Sequence, residues 1–316
     1  METTYTKPDK PLGQRAYGSI PHLPGSRRGP ADKGLSDQQA KLLTEKARDR
    51  HDLITVQEKL DGSNVAVANI NSEIVALIRA GYRADGSNYE QHHHFARWVD
   101  SHRHRFAALL QPGERVSGEW LMEAHGTRYN LPHEPFVAFD ILTGNYRAIA
   151  SDVASRCSAV EFVTPRVIHV GGALSIADML AMLEPSGHGA LEDVEGAVWR
   201  MERKGVVDFL GKYVRPEKVD GKYLNGVGGI EREPIYNWHP SSDNMQTGPN
   251  FTDDKQCHNC IHLGLLKGRA GVCKGHVCLA PITTEPPQNS EARAKSPFVY
   301  ETEVDGICEL WTGSKI

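Results

Sequence analysis

Short apolar segments with β-branched residues and period-2 alternation recur along the chain and predict strands. Two of them, residues 53–56 and 65–68, flank the polar heptad Glu58-Lys59-Leu60-Asp61-Gly62-Ser63-Asn64. Lys59 therefore lies where one predicted strand turns into the next. A hairpin turn built on Asp61-Gly62 is the ordinary alternative for this stretch, because Asp-Gly turns end strands in many proteins that use no lysine.

The remaining pattern predicts both strands and helices. Further strands are predicted at residues 73–79, 115–121, 136–141, 194–201 and 206–214. Helical spacing predicts helices at residues 36–50, 89–110 and 175–184, and the first begins with a capping box formed by Ser36 and Gln39. Many strands with a few interspersed helices indicate an α+β domain of antiparallel sheets around a groove.

Changes in composition divide the chain into three parts. Residues 1–34 are rich in Gly, Pro and basic residues and predict an extended arm, in which the basic pair Arg27-Arg28 is better explained as a solvated loop than as a phosphate contact. Turn-rich linkers follow residue 220. We expect an N-terminal arm and helix over residues 1–50, a main domain over 51–225 and a small cysteine-rich module over 250–316.

Charge and hydropathy narrow the class of protein. The formal net charge is −4, which excludes a uniformly basic coat and leaves only a local patch for a polyanion. No apolar run approaches the roughly 20 residues that span a bilayer, and the polar residues 1–10 lack the apolar core of a signal peptide. These features predict a cytoplasmic protein without membrane contact, and they leave the oligomeric state open.

Four of the six cysteines form a cluster in the predicted C-terminal module. Cys257, Cys260, Cys273 and Cys278 have the form Cys-x₂-Cys, twelve residues, Cys-x₄-Cys. In a reducing cytosol this spacing favours a metal over disulfides. Four thiolates would close the tetrahedral shell of a structural Zn²⁺, and one of the nearby histidines (His258, His262, His276) could replace a ligand.

Basic residues accompany the cysteine cluster. Lys267, Arg269 and Lys274 lie between residues 255 and 280, where no acidic residue occurs. The module could therefore dock on a nucleic-acid backbone with salt-dependent affinity. A zinc-stapled fold that happens to be basic explains the same residues equally well.

Histidines are concentrated in the helix predicted at residues 89–110. His92, His93 and His94 are consecutive, and His102 and His104 follow. Consecutive side chains on a helix point in different directions, which argues against a shared metal. We interpret these histidines as an exposed polar face.

Five segments resemble, in order, the motifs of the covalent nucleotidyltransferases, which include ATP-dependent DNA ligases, RNA ligases and mRNA capping enzymes. The heptad around Lys59 resembles motif I, Lys-x-Asp-Gly, and Arg79-Ala80-Gly81 resembles motif Ia of the nick-sealing phage RNA ligases. The others are Gly118-Glu119-Trp120 with the aromatic strand 136–141 (motif III), residues 195–200 (motif IV) and residues 209–215 (motif V). The resemblance implies an ATP-grasp-like ligase domain, with antiparallel sheets around a nucleotide groove.

The resemblance implies that Lys59 attacks the α-phosphate of ATP and carries AMP as a phosphoramidate. The amine must be neutral at that moment, and partial desolvation, Lys212 and Mg²⁺ would each lower its pKa. Asp61 would lie beside the amine without blocking the attack. Gly62 would let the backbone approach the nucleotide closely.

The later motifs imply further contacts with the nucleotide. Arg79 would hold a phosphate through bidentate donors, and Glu119 would accept hydrogen bonds from the ribose hydroxyls. Phe139 could stack on the purine, whereas its neighbour Asp140 points to the other side of the strand. Nucleotide binding is also assigned to Glu58 and Asn64.

Metal binding and charge neutralisation are assigned to motifs IV and V. Glu195 would hold Mg²⁺, and Lys212 would neutralise the α-phosphate in the transition state. The chain departs from the family pattern at motif V, where ligases usually carry two lysines one residue apart. Arg215 faces away from Lys212 on a strand and is a doubtful substitute. Arg200 stands where the family often has lysine.

We therefore expect an ATP-dependent RNA ligase that joins RNA 5′-phosphate and 3′-OH ends in RNA repair, with ATP, Mg²⁺ and a structural Zn²⁺. The choice of RNA rests on Gly62-Ser63-Asn64, on Arg79-Ala80-Gly81 and on the lack of a segment resembling the barrel that DNA ligases append. A DNA ligase or a capping-type guanylyltransferase is the alternative enzyme. A catalytically inactive, zinc-containing nucleic-acid-binding protein is the alternative of another class.

Overall fold

The computed structural model describes residues 10–225 and 233–238, together with the backbone of four short strands between residues 271 and 313. The chain divides into two compact units, Met1–His239 and Pro240–Ile316. In the described part of the chain no helix is long and apolar enough to cross a membrane.

The first unit contains five α-helices and nine strands among its described residues. The helices are α1 (Asp37–Thr44), α2 (Glu90–Ser101), α3 (Arg103–Leu109), α4 (Ala150–Ala159) and α5 (Ile176–Met182). The strands are β1 (Asp52–Lys59), β2 (Ser63–Ile70), β3 (Glu73–Ile78), β4 (Glu114–Trp120), β5 (Phe136–Thr143), β6 (Tyr146–Arg147), β7 (Val167–Gly171), β8 (Gly196–Arg203) and β9 (Val206–Val214).

These strands form two antiparallel sheets, as the sequence predicts. One sheet has the order β7-β1-β8-β9 and the other the order β3-β2-β4-β5-β6. Because β1 belongs to the first sheet and β2 to the second, the loop that follows Lys59 passes from one sheet to the other. Lys59 also lies opposite Gly196 in the pairing of β1 with β8. The sheet register therefore brings residue 195 next to Lys59.

Each sheet has its own hydrophobic core. An aromatic cluster of Phe95, Trp98, Phe106, Phe136 and Phe162 joins the five-stranded sheet to its helices. The four-stranded sheet packs on α1 and α5 through a second cluster centred on the fully buried Trp199. Two separately packed sheets provide rigid walls for the groove between them.

Two of the predicted helices are shorter than expected. The capping box of Ser36 and Gln39 is present, but α1 ends at Thr44 instead of continuing to residue 50. Beyond it, the Arg48 guanidinium and backbone N–H bind the Asp52 carboxylate, and this pairing ties the segment to the start of β1. The helix predicted at residues 89–110 is interrupted at His102, which has a non-helical ψ of 16°.

The N-terminal arm pairs with the edge of the four-stranded sheet. The Lys212 N–H donates to the Pro21 carbonyl at 3.0 Å, and the Leu23 N–H donates to the Lys212 carbonyl at 2.8 Å. Arg28 is exposed, in agreement with a solvated loop, whereas the half-exposed Arg27 forms an ion pair with Asp220 at 2.7 Å. The arm is therefore part of the domain wall.

The second unit contains two described hairpins. Strand β10 (Gly271–Cys273) pairs with β11 (His276–Cys278), and β12 (Phe298–Val304) pairs with β13 (Ile307–Gly313). The backbones of Cys273 and Cys278 thus lie on neighbouring strands of one hairpin. The predicted ligands Cys257 and Cys260 lie outside the described residues, as do His258 and His262.

Candidate active site

A cavity of about 790 Å³ lies between the two sheets and the arm. All ten residues of the first unit that the sequence assigns to catalysis or nucleotide binding line it: Glu58, Lys59, Asp61, Gly62, Asn64, Arg79, Glu119, Phe139, Glu195 and Lys212. They come from five strands and the connections between strands. The fold therefore brings the five motif segments together.

The Lys59 ammonium is bound within the cavity wall. Its Nζ donates to Glu195 Oε2 at 2.5 Å and to the Leu60 carbonyl at 3.3 Å. Burial lowers the pKa of Lys59, but the carboxylates of Glu195, Glu119 and Asp61 outweigh that effect and hold the pKa above its ordinary value. The predicted lowering of the Lys59 pKa is therefore wrong for this arrangement, because Asp61 from the same loop and Glu119 and Glu195 from distant segments act on one ammonium.

The surrounding acids are perturbed in the opposite sense. Burial raises the pKa of Glu119 to about 8 and that of Glu195 to about 7, although Lys59 acts against both shifts. Both groups therefore titrate near neutral pH. Carboxylates outnumber cations at this point, so this part of the cavity favours the binding of a positive charge.

Among the residues that the structure describes, no three His, Cys, Asp or Glu side chains converge as a metal site. Mg²⁺ is usually held by one or two carboxylates together with substrate phosphates and water. The buried Glu195 carboxylate fits such a site as a single protein ligand.

Gly62 and Glu119 connect the motif I loop to strand β4. The Gly62 N–H donates to Glu119 Oε1 at 3.1 Å. A Cβ at residue 62 would lie 2.6 Å from the Trp120 carbonyl, so close packing against β4 requires glycine here whether or not a nucleotide is bound. Asn64, opposite Glu119 in the β2–β4 pair, has a buried Oδ1 for which the described residues provide no hydrogen-bond partner.

The Glu58 carboxylate is buried and bound by the loop before β8. Ser186 Oγ donates to it at 2.6 Å and the Gly187 N–H at 2.8 Å. Arg166 Nε lies 3.6 Å from the same carboxylate. The side chain of Glu58 therefore fixes the loop beside Lys59, and its predicted contact with the nucleotide stays a prediction.

Two cationic side chains line the cavity near Lys59. Arg79 is exposed and donates to Ser19 Oγ at 3.0 Å. Lys212 is half-buried, and its pKa is lowered first by burial and then by the charge of Lys59. These two cations could bind an anionic group in the cavity.

Phe139 reaches the cavity because strand β5 has an irregularity at this residue. Gly118 pairs with Ala138 and Ser117 pairs with Asp140, which leaves Phe139 as the extra residue of a β-bulge. The Phe139 ring packs edge-on against Tyr17, with the ring centroids 5.1 Å apart. Asp140 does not line the cavity, and its buried carboxylate accepts hydrogen bonds from Tyr17 and Arg200.

Arg215 faces acidic residues on the far side of strand β9. Its guanidinium lies 3.1 Å from Glu184 and 3.3 Å from Asp193. The strand alternation predicts this orientation relative to Lys212. Arg200 lines the cavity but is bound at 2.5 Å to Asp140.

Sequence reasoning missed several residues of the cavity wall, among them Tyr17, His22, Asp32, His92, His125 and Asp220. His92 is buried, contrary to the expected exposed face, and its ring nitrogens contact Ser63 Oγ at 2.9 Å and Ser87 Oγ at 2.7 Å. Burial lowers its pKa to about 4. The apolar periodicity of α2 gave no signal for this role, because both ring nitrogens of His92 contact hydroxyl groups.

Comparison with known proteins identifies a protein family that matches the part of the chain containing this site. The model of the RNA ligase family matches residues 52–214, slightly more than half of the chain. The matched segment contains Lys59 and every other first-unit residue that the sequence assigns to the site. No match was found among curated proteins.

Solved structures with a similar fold include several RNA ligases. An archaeal ATP-dependent RNA ligase (form 2) is 20% identical with a TM-score of 0.39, and the match covers 63% of this chain and 48% of that chain. A Naegleria gruberi RNA ligase with PPi is 18% identical with a TM-score of 0.43, covering 61% of this chain and 58% of that chain. The chain spans about half the length of the first solved structures that it matches.

Proposed function

This chain belongs to the RNA ligase family, and we propose that it is an ATP-dependent RNA ligase that uses Lys59 as its nucleophile. The observation that supports this proposal best is the position of Lys59. Its ammonium lies in a cavity lined by all five motif segments and is held by Glu195 at 2.5 Å. The alternative, a lysine in an ordinary surface hairpin turn, does not explain why three acids surround this ammonium.

The proposed reaction has three steps. In the first, Lys59 Nζ loses a proton and attacks the α-phosphorus of ATP; an N–P bond forms, the P–O bond to the β-phosphate breaks, and pyrophosphate leaves. In the second, an RNA 5′-phosphate oxygen attacks the same phosphorus and releases the lysine. In the third, an RNA 3′-OH attacks the activated 5′-phosphate and AMP leaves.

Several side chains that line the cavity support the binding of the nucleotide. Phe139 offers an aromatic face to the purine, and Asn64 Oδ1 offers an acceptor that has no partner among the described residues. Glu119 offers a carboxylate to the ribose hydroxyls. Arg79 and Lys212 provide positive charge for the phosphates.

We propose that Mg²⁺ is bound through Glu195 together with nucleotide phosphates. When bound, such an ion neutralises charge on the phosphates and withdraws electrons from the α-phosphorus. It would also compete with the Lys59 ammonium for the Glu195 carboxylate, because both are cations. Release of Lys59 from Glu195 would favour the neutral amine that the first step requires.

We also propose a structural Zn²⁺ in the C-terminal module, held by Cys257, Cys260, Cys273 and Cys278. The Cys-x₂-Cys spacing and the single hairpin that carries Cys273 and Cys278 support it. Such a site requires reduced thiols, which is consistent with the cytoplasmic location that we propose.

The function is tested by exposing purified protein to ATP, GTP or NAD with Mg²⁺ and measuring the mass of the intact chain. We expect an AMP adduct with ATP that maps to Lys59 and is absent in Lys59→Ala. Lys41→Ala, which removes a lysine on α1, is the matched control and should label normally. A GMP adduct would favour a guanylyltransferase, and an adduct formed only from NAD would exclude the ATP-dependent enzyme.

The acceptor is tested by adding nicked RNA and nicked DNA duplexes to protein that carries the adduct. We expect discharge of the adduct and sealing with RNA ends that carry a 5′-phosphate and a 3′-OH. Sealing of DNA alone would make the DNA ligase the better assignment. No adduct with any nucleotide, together with retained RNA binding, would favour the inactive nucleic-acid-binding protein.

A further inference from the structure

A buried threonine holds the acidic residue of motif I. Thr127 is fully buried, and its Oγ1 donates to Asp61 Oδ2 at 3.0 Å. The Asp61 N–H donates to the Tyr129 hydroxyl at 3.1 Å. The segment 126–129 therefore binds both the backbone and the carboxylate of a residue that lies only two positions after Lys59.

A lysine from the segment after β9 determines which way the Thr127 hydroxyl points. Lys218 Nζ lies 3.1 Å from Thr127 Oγ1. An ammonium only donates hydrogen bonds and a carboxylate only accepts them, so the hydroxyl must accept from Lys218 and donate to Asp61. Its single hydrogen is thereby committed to Asp61.

Gly126 allows these groups to come this close. A Cβ at residue 126 would lie 2.6 Å from Asp61 Oδ2 and 2.6 Å from the Val219 carbonyl. Any side chain here would displace the Asp61 carboxylate, the segment after β9, or both. The loop after Lys59, residues 126–127 and residues 218–219 therefore meet at this point.

We infer that Thr127 is a positioning residue for nucleotidyl transfer: its hydroxyl, oriented by Lys218, holds the Asp61 carboxylate beside the Lys59 amine. This inference rests on the proposed function. Asp61 lies on the loop that joins the two sheets, and its charge acts directly on Lys59. Fixing its side chain before the reaction avoids the cost of ordering it during the reaction.

The arrangement also links the end of motif V to motif I. A short connection joins Lys212 to Lys218 in the chain. Within it, the Lys218 N–H donates to the Arg215 carbonyl at 3.2 Å. The hydrogen-bond chain Lys218–Thr127–Asp61 is thus a physical connection between the strand that carries Lys212 and the loop that carries Lys59.

The test compares Thr127→Val, which removes only the hydroxyl, with Thr127→Ser, which keeps it. We measure the rate of AMP attachment to Lys59 by intact mass over a range of ATP concentrations. In Thr127→Val the rate at saturating ATP should fall by about 10- to 100-fold, because a misplaced group near the reacting atoms costs that much. The half-saturating ATP concentration should change by less than about threefold, because the residues proposed to contact the nucleotide are unaltered.

Rescue by the conservative variant separates positioning from packing. Thr127→Ser should stay within about threefold of wild type, because the serine hydroxyl makes the same two hydrogen bonds. Thr44→Val is the control, since it removes a threonine hydroxyl that donates to the Ala40 carbonyl at 2.9 Å, on α1. A wild-type rate in Thr127→Val, or equal losses in Thr127→Ser and Thr127→Val, would overturn the inference.

Two further variants keep the inference testable if Thr127→Val does not fold. Lys218→Met leaves Thr127 in place and should lower the saturating rate by about three- to tenfold, because the hydroxyl loses the group that orients it. Gly126→Ala should lower the rate more strongly through the contact with Asp61. If wild-type protein forms no AMP adduct, the proposed function fails; if wild type reacts and these variants react equally well, only the inference fails.

Discussion

The Lys59 ammonium and the Glu195 carboxylate form a 2.5 Å hydrogen-bonded ion pair, although 136 positions separate them in the sequence. The antiparallel pairing of β1 with β8 places Lys59 opposite Gly196 and so brings the two side chains to the same point of the cavity. The nucleophile that we propose is therefore held, in its charged form, by the residue that we propose as the metal ligand.

Glu195→Gln should remove this dual role while preserving a hydrogen-bond acceptor for Lys59. We expect the rate of AMP attachment to fall by roughly 100-fold. The metal would lose a carboxylate ligand, and the attacking amine would lose the carboxylate that stabilises its positive charge in the transition state. The rate is measured by intact mass at saturating ATP and Mg²⁺. Glu202→Gln is the matched control. Glu202 is also a buried glutamate and lies on β8, but it accepts from the Ala150 N–H instead of binding Lys59. A Glu195→Gln enzyme with wild-type rate would remove Glu195 from the reaction.

Lys212 and Arg215 should have separable functions, although both belong to the motif V segment. Lys212→Met should lower the rate of AMP attachment by about 10- to 100-fold, because the cavity loses a cation beside the phosphates. Arg215→Met should keep the rate and lower the free energy of unfolding by no more than about 1 kcal/mol, since its ion pairs involve exposed acids. Activity and denaturant unfolding are measured on both variants. Loss of activity in Arg215→Met would make Arg215 the substitute for the second lysine.

How far the sequence predicts the site depends on how local each signal is. Lys59, Glu119 and Glu195 each belong to a short contiguous motif, so their presence in one cavity could be expected before their contacts were known. The sign of the Lys59 pKa shift could not, because it depends on the distances between Lys59 and acids from three separate segments. Local patterns carry no information about such distances.

The arm illustrates a second limit. Residues 1–34 have no apolar alternation, and the arm joins the domain through backbone hydrogen bonds with Lys212 that any sequence could form. Tyr17 and His22 were therefore missed as cavity residues. Strands were easier to predict than helix ends. Helix α1 ends at Thr44, and the residues after it are held by the pairing of Arg48 with Asp52, which the helical pattern does not encode.

Phe139 should contribute to ATP binding more than to the chemical step. Phe139→Ala should raise the half-saturating ATP concentration by about 5- to 150-fold, because stacking of a base on an aromatic ring is worth about 1–3 kcal/mol. The saturating rate should change less. Phe139→Trp should bind ATP nearly as well as wild type, and Tyr146→Ala, which removes an aromatic residue that is 80% exposed on β6, is the control. An unchanged half-saturating concentration in Phe139→Ala would place the purine elsewhere.

The cysteine cluster predicts about one zinc per chain in reduced protein. Cys257→Ser and Cys273→Ser should each lower the zinc content measured by elemental analysis, because a thiolate ligand is lost. Cys157→Ala is the control, since Cys157 is buried in the first unit within α4. Reduced wild-type protein without metal would contradict the zinc proposal without affecting the assignment of Lys59.

The pair formed by the half-buried His133 and the buried His188 should make the fold sensitive to acid. The Arg166 N–H donates to His188 Nε2, and His133 Nδ1 donates to the Glu134 carbonyl, so each ring has one nitrogen committed as donor or acceptor. The 2.8 Å bond between the rings then requires His188 Nδ1 to donate to His133 Nε2, with both rings neutral. Protonation of either ring would place two N–H groups face to face.

Burial lowers the pKa of His188 to about 3, from an ordinary value of 6.5. A histidine that is neutral in the folded protein contributes its full stability above pH 6.5. This contribution is lost as the pH falls from 6.5 toward 3, on the order of 1 kcal/mol per pH unit. The loss occurs because the unfolded chain binds a proton in this range and the folded chain does not. His188→Gln should lower the free energy of unfolding at pH 7 by about 1–3 kcal/mol. It should also make the decrease between pH 6.5 and pH 4.5 shallower than in wild type.

Denaturant unfolding at several pH values measures both effects. The comparison with His188→Gln is needed because Glu119 and Glu195, whose pKa values are raised, change the stability in the opposite direction over an overlapping pH range. His104→Gln, which removes an exposed histidine of α3, should leave the wild-type pH dependence unchanged. Equal pH dependence in wild type and His188→Gln would mean that the pair accepts a proton without loss of the fold. The loop that holds Glu58 beside Lys59 would then not depend on the protonation of His188.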